Sequence, residues 1–159
     1  MAIPHWDQED LKYGVTRQIR DRLRYLMGPC LPLLGFPDID LMDSIDRATR
    51  GAAHGPDHEI MLRSWALLVS DTTTGSGYAY LEGGQVALLA ATNRRTATRL
   101  LWAALADAGE ETTVPHVTAA NEWALDVGIA ARLDVRTEGY LAVRGMAPPT
   151  PYLHHGALL

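Results

Sequence analysis

The stretch Gln85–Ala108, QVALLAATNRRTATRLLWAALADA, decides the fold. Its first seven residues, Gln85 to Ala91, are too continuously apolar for a strand with one wet face, so they predict a central strand covered on both sides. From Ala97 the apolar residues fall at Ala97, Leu100, Leu101, Ala104, Leu105 and Ala108, the spacing of a helix with one buried stripe. Thr92 or Asn93 is placed to cap it. Arg94, Arg95 and Arg99 then occupy the first turns, where the helix dipole disfavours each cation by roughly 0.3–1 kcal/mol. No Asp or Glu lies between Glu82 and Asp107 to offset them through a local pair. A bound anion would, because the free N–H groups of a helix start and guanidinium forks both suit phosphate. Solvated arginines, or carboxylates from elsewhere in the fold, are the alternatives.

Around this unit, 159 residues make one domain of ordinary size, able to bury a core without disulfides or metals. A net charge of −5 lacks the electrostatic footprint of a nucleic-acid binder, so nucleic acid is not an expected partner. The single Cys30 offers no internal disulfide and agrees with a reducing compartment. No run reaches the ~18 apolar residues of a membrane span, and MAIPHWDQED is acidic where a signal peptide is basic. The expectation is a cytoplasmic protein with no membrane partner.

Upstream, Asp7–Met27 reads as a helix with Leu11, Val15, Ile19, Leu23 and Leu26 on one side, stopped by Gly28-Pro29. Pro29–Pro37 is an irregular apolar connection. Asp38 or Asp40 then caps a helix to about Arg50 with Leu41, Ile45 and Ala48 inward and Gly51 as its stop. After the turn at Gly55-Pro56, Asp57 begins a short helix through Met61 and Leu62. Trp65–Ser70, Gly77–Leu81 and Gln85–Ala91 form a three-strand meander. Beyond the arginine helix, Glu111–Val117 reads as a fourth strand that Pro115 confines to an edge or a splayed pairing. Asn121–Ala131 follows as a helix with Ala120, Trp123, Ala124, Val127 and Ala131 buried, then Leu133–Thr137 and Tyr140–Arg144 as a hairpin. The domain thus divides into a helical part over 7–64, a sheet with two helices over 65–144, and a proline-rich irregular tail over 145–159 that Tyr152 and Leu153 pin down.

This order, with a splayed strand after an anion-ready helix, resembles the GCN5-related N-acetyltransferase (GNAT) superfamily, best over Trp65–Arg144. The segments RGAAHGPDHE, VALLAAT and PYLHHGALL are also similar to the second half of actinobacterial two-part GNAT proteins. The resemblance implies an α/β (α+β) fold: a mixed, mostly antiparallel central sheet with a splayed strand, flanked by helices. It implies an acyl-CoA donor, acetyl-CoA or another, its pyrophosphate on the turn after the central strand, its pantetheine arm paired with the splayed strand, and a small-molecule amine as acceptor; by the same analogy a short GNAT-like half with the apolar linker Pro29–Pro37 could form a homodimer. The cofactor-binding candidates are then Leu89, Ala91, Arg94, Arg95, Thr96, Ala97, Thr98, Arg99 and Asn121. Two motifs depart from the family. The phosphate loop reads Arg94-Arg95-Thr96-Ala97-Thr98-Arg99, with Arg99 where a small residue belongs, and without glycine the backbone cannot approach phosphates as closely. Asn121 and Ala124 fit the later motif, but Gly128 stands where the general-acid tyrosine would be and Arg132-Leu133 replaces Gly-Phe.

His54, Asp57, His58 and Glu59 form the densest ionisable cluster and are the catalytic candidates. Either histidine suits a base near neutral pH, with Asp57 or Glu59 fixing its tautomer. The alternative is a capped turn in which Asp57 and Glu59 serve the helix dipole and His54 holds the loop. Metal ligation is not expected, because Gly55-Pro56 breaks the helix that a histidine pair one turn apart would use. His154-His155 reads as an exposed pair, His116 as structural, and Tyr78, Tyr80 and Tyr140 as packing residues on strands, unless one of them faces the cleft and donates a proton in place of the missing tyrosine. Three functions follow: an acyl-CoA-dependent N-acyltransferase acting on a small-molecule amine; a GNAT-fold protein that has lost CoA and performs other small-molecule chemistry, a cyclisation or rearrangement; or a non-catalytic binding or partner module.

Overall fold

In a computed structural model of the protein, residues 38–108, 112–137 and 139–157 are described. The expected helix over 7–27 and the linker Pro29–Pro37 lie outside the described residues, as do Glu111 and Glu138. Helix α1 (Ile39–Arg50) starts where Asp38 accepts from the Leu41 N–H at 2.9 Å and stops at Gly51, whose φ of 85° is the left-handed stop expected of it. Helix α2 (Asp57–Ser64) leads into three antiparallel strands, β1 (Ala66–Thr72), β2 (Gly75–Glu82) and β3 (Gln85–Ala91). Helix α3 (Arg94–Asp107) follows, and then, after a 3-10 turn at Ala119–Asn121, helix α4 (Glu122–Ala130). The last element is a two-residue strand, β4 (Tyr152–Leu153), which completes the sheet order β1-β2-β3-β4. The result is a mixed α+β fold, a four-stranded antiparallel sheet flanked by helices, as expected of a GNAT-like arrangement.

Strand β3 is buried from Val86 to Ala91 because each face of the sheet carries its own core. On one face Leu89 and Ala91 meet Ala97, Leu100, Leu101, Ala104 and Leu105 of α3 and Trp123 and Val127 of α4. On the other, Leu88 and Ala90 join Tyr78, Tyr80 and Tyr152 beneath Met42 and Ile45 of α1 and Met61 of α2. Tyr78 and Tyr80, two apart on β2, share a face because strand side chains alternate.

Four expectations are corrected. The inward stripe of α1 is Met42, Ile45 and Asp46; Leu41 is only half-buried and Ala48 is exposed. No strand forms over the described part of Glu111–Val117: Val86 N–H donates to the Thr113 carbonyl at 3.2 Å and the Thr112 hydroxyl to the Gly84 carbonyl at 2.6 Å, before Pro115 and the positive φ of His116 (57°) turn the chain away. The Leu133–Thr137 and Tyr140–Arg144 hairpin is likewise absent among the described residues, with Tyr140 93% exposed. A lone hairpin is marginal in water without a sheet to join, and the edge of β3 is already taken. What takes it is the proline-rich tail, expected to be irregular: Leu153 pairs with Leu89, Tyr152 with Ala90, and Ala91 N–H donates to the Pro151 carbonyl at 3.2 Å.

Candidate functional site

Asp46 lies on the buried face of α1, a carboxylate where the helix period asks for an apolar side chain. The loop after α1 folds back so that His54 reaches it: His54 Nδ1 is 2.8 Å from Asp46 Oδ2, and the His54 backbone N–H donates to the same oxygen at 3.2 Å. His58, one residue into α2, brings Nε2 to 3.2 Å from that oxygen and to 3.5 Å from Oδ1 of Asp43, one turn back on α1. The Tyr78 hydroxyl donates to the other oxygen of Asp46 in a short hydrogen bond. Beyond the rings, the Tyr80 hydroxyl lies 3.1 Å from His58 Nδ1 and the Tyr152 hydroxyl 3.3 Å from His54 Nε2. The side chains of Asp46, His54 and His58 are at most 2% exposed, while Asp43, at 15%, forms the wettest wall.

A carboxylate only accepts, so both rings donate to Asp46; with neutral imidazoles the far nitrogens accept from the tyrosines, and every group is satisfied. Burial pushes the Asp46 carboxyl up, but hydrogen bonds from His54, His58 and Tyr78, together with the field of His54, outweigh it and hold the group well below the usual carboxylate range. Burial first, then the charge of Asp46, pushes the Tyr78 and Tyr80 phenols far above their ordinary range; burial does the same for Tyr152 against an opposing pull from Arg50. All three phenols therefore stay protonated.

The four catalytic candidates separate. His54 and His58 come together, and the turn at Gly55-Pro56, expected to keep them from one metal, instead folds both rings onto one carboxylate. The group that orients them is Asp46 rather than Asp57 or Glu59. Glu59 is exposed and pairs loosely with Arg63 at 3.8 Å. Asp57 lines a shallow hollow of about 260 Å³ with Ile60, Met61, Ser64, Trp65 and Glu82, below the ~300 Å³ at which ligand pockets begin. Asp43 and Asp46 escaped the sequence reading; the available signal was a carboxylate on the stripe set by Met42 and Ile45.

The cofactor candidates are also dispersed. Leu89, Ala91 and Ala97 are core residues. Thr96 is buried, and its N–H is capped by Asn93 at 2.9 Å. The Asn93 amide also donates to the Thr74 carbonyl at 2.9 Å, so the β3–α3 turn closes against the β1–β2 turn. Arg94 pairs with Glu122 at 2.7 Å on the surface. Arg95 is exposed, Thr98 and Arg99 are half-buried, and among the described residues neither Arg95 nor Arg99 has a carboxylate partner. Asn121 spends its whole amide on the chain itself: Nδ2 donates to Thr118 Oγ1 and the Pro149 carbonyl, and Oδ1 accepts from Trp123 Nε1 and Tyr152 N–H, each at 3.0–3.1 Å. It is the clasp that holds the tail strand.

The tail histidines are not an exposed pair. His154 is buried against His116, ring centroids 4.7 Å apart, and His155 packs on Trp65 at 4.9 Å. Comparison with protein-family models, with curated proteins and with solved structures gives no match.

Proposed function

We propose that the chain is a GNAT-like module that no longer takes an acyl-CoA donor in the family's manner and serves as a binding or pairing module for a second protein domain. One observation carries this: β4 pairs with β3 in the opening where the central strand and the Pro115 segment part, the place where the resemblance would lay the pantetheine arm. The Ala91 N–H is taken by Pro151, and Asn121 holds the tail in place. Arg99 at a small-residue position and Gly128 in place of an acid add to the same case. Pairing with another domain is supported by Ile129, Val135, Tyr140 and Met146, each at least half exposed on a stretch that, among its described residues beyond Arg132, has no strand partner.

Acyl transfer to a small-molecule amine is the second reading, favoured by Arg95 and Arg99, which stand at the start of α3 without carboxylate partners among the described residues. Thermal unfolding with CoA and acetyl-CoA separates the two. A site filled at 100 times its dissociation constant adds about 2.7 kcal/mol of stability. We expect no shift with either ligand; a shift of that size with acetyl-CoA overturns the proposal and restores the donor site.

A further inference from the structure

The Asp46–His54–His58 cluster does more than fill space, and we infer that it is a structural site for one divalent transition-metal ion of the zinc class, held by Asp46, His54 and His58 with Asp43 as fourth ligand. Asp46 Oδ2, His54 Nδ1 and His58 Nε2 all lie within 4.8 Å of one another. A tetrahedral zinc site with bonds of about 2.0–2.1 Å has ligand–ligand edges of roughly 3.3 Å. The 3.2 Å separation of His58 from Asp46 and the 3.5 Å separation from Asp43 already match that edge. The 2.8 Å contact of His54 with Asp46 is shorter than that edge and widens when an ion enters.

Two further features point to a metal. Metal-bound histidines are oriented through their second ring nitrogen, and here each second nitrogen faces a buried phenol, Tyr80 or Tyr152, while Tyr78 holds the free oxygen of Asp46. Charge is the other. The carboxylates of Asp43 and Asp46 together carry two negative charges at the base of α1, and among the described residues the only Lys or Arg paired with either is the exposed Arg47, 3.6 Å from Asp43. A dication offsets both carboxylates, and that of Asp46 lies in the dry interior, where a charge is costly to leave without a counter-ion. Proton bookkeeping also closes: each ring passes its proton from the metal-facing nitrogen to the other one, and the Tyr80 and Tyr152 oxygens accept instead of donating. No proton enters or leaves. With both imidazoles, both carboxylates and three phenols used, no open coordination position faces a substrate, so the ion ties α1 and α2 to the sheet and is not a catalyst.

The test uses the full chain, stripped of metal and then equilibrated with Zn²⁺, with bound metal measured by mass spectrometry and the melting temperature read with and without Zn²⁺. The expected result is one equivalent per chain, a melting temperature that rises with Zn²⁺ and falls with a chelator, and, with Co²⁺ in its place, the intense visible absorption of a tetrahedral site. Tyr80→Phe weakens Zn²⁺ binding about 10- to 100-fold, and His58→Gln abolishes it. The inference is overturned if the wild type retains less than about a tenth of an equivalent and its melting temperature ignores Zn²⁺, or if His58→Gln binds as tightly as wild type. Should His58→Gln fail to fold, the wild-type stoichiometry, the Co²⁺ spectrum and the Tyr80→Phe affinity decide alone.

Discussion

Asp46 organises its surroundings because a buried carboxylate has to be satisfied completely or not at all. Four donors converge on it, and removing it would strand two imidazoles and a phenol in a dry interior. Asp46→Ala is expected to destabilise the fold by about 3–5 kcal/mol in denaturant unfolding, the cost of leaving several buried donors without an acceptor. Glu59→Gln, on an exposed ion pair five residues from His54 in the chain, is expected to stay within about 0.5 kcal/mol. Equal effects for the two would show that Asp46 is not the hub. The two histidines were legible in the sequence as a dense ionisable cluster, but their partner was not. Asp57 and Glu59 are neighbours in the chain, whereas Asp46 becomes a neighbour only when the loop after α1 folds back.

At the scale of elements, the sheet is tight where small residues let helix and strand approach. A Cβ on Gly77 would stand 2.7–2.8 Å from Ala91 Cβ, the Ala90 carbonyl oxygen and Leu100 Cδ1. Backbone cannot yield there, so Gly77→Ala is expected to cost about 1–3 kcal/mol in unfolding free energy, whereas the same change at Gly128, with only Leu133 at 3.9 Å, is expected to be well tolerated. Asn121→Ala removes four hydrogen bonds, two of which, to Pro149 and Tyr152, hold the tail. A loss of about 2–4 kcal/mol is expected, together with faster proteolysis near Pro149–Leu153; an unchanged cleavage rate would contradict the clasp. The elements that could be read from sequence were those with strong local periodicity: α3 with its stripe, β3 with its unbroken apolar run, α1 with its cap and glycine stop. The tail strand could not be read, since Pro151 beside Tyr152-Leu153 argues locally for irregular chain and only the edge of β3 makes it a strand. The same competition explains why residues 133–137 and 139–144 form no strand.

For the whole molecule, α1 and α2 meet Tyr152 of the C-terminal tail on one face of the sheet, so the stability of the domain depends on groups distant in sequence. His154 shows this in its titration: burial first, then repulsion from His116 and His155, holds its pKa below the ordinary 6.5. A depressed folded-state value means the contribution is complete above about pH 6.5 and is lost as pH falls through the lower folded value, because the unfolded chain binds the proton first. The urea midpoint is therefore expected to fall between pH 7.5 and pH 5.5 more steeply in wild type than in His154→Asn; parallel profiles would remove His154 from the account.

The claim on which the functional account turns is that the chain's own tail closes the edge of β3. Amide hydrogen exchange at Ala91 and Tyr152 measures this directly, since the N–H groups donate to Pro151 and to Asn121. Protection at both amides close to that of the β2–β3 ladder, unchanged by acetyl-CoA, is the expected result. Rapid exchange at Ala91 that slows when acetyl-CoA is added would mean the edge stands open for a donor, and would contradict the account.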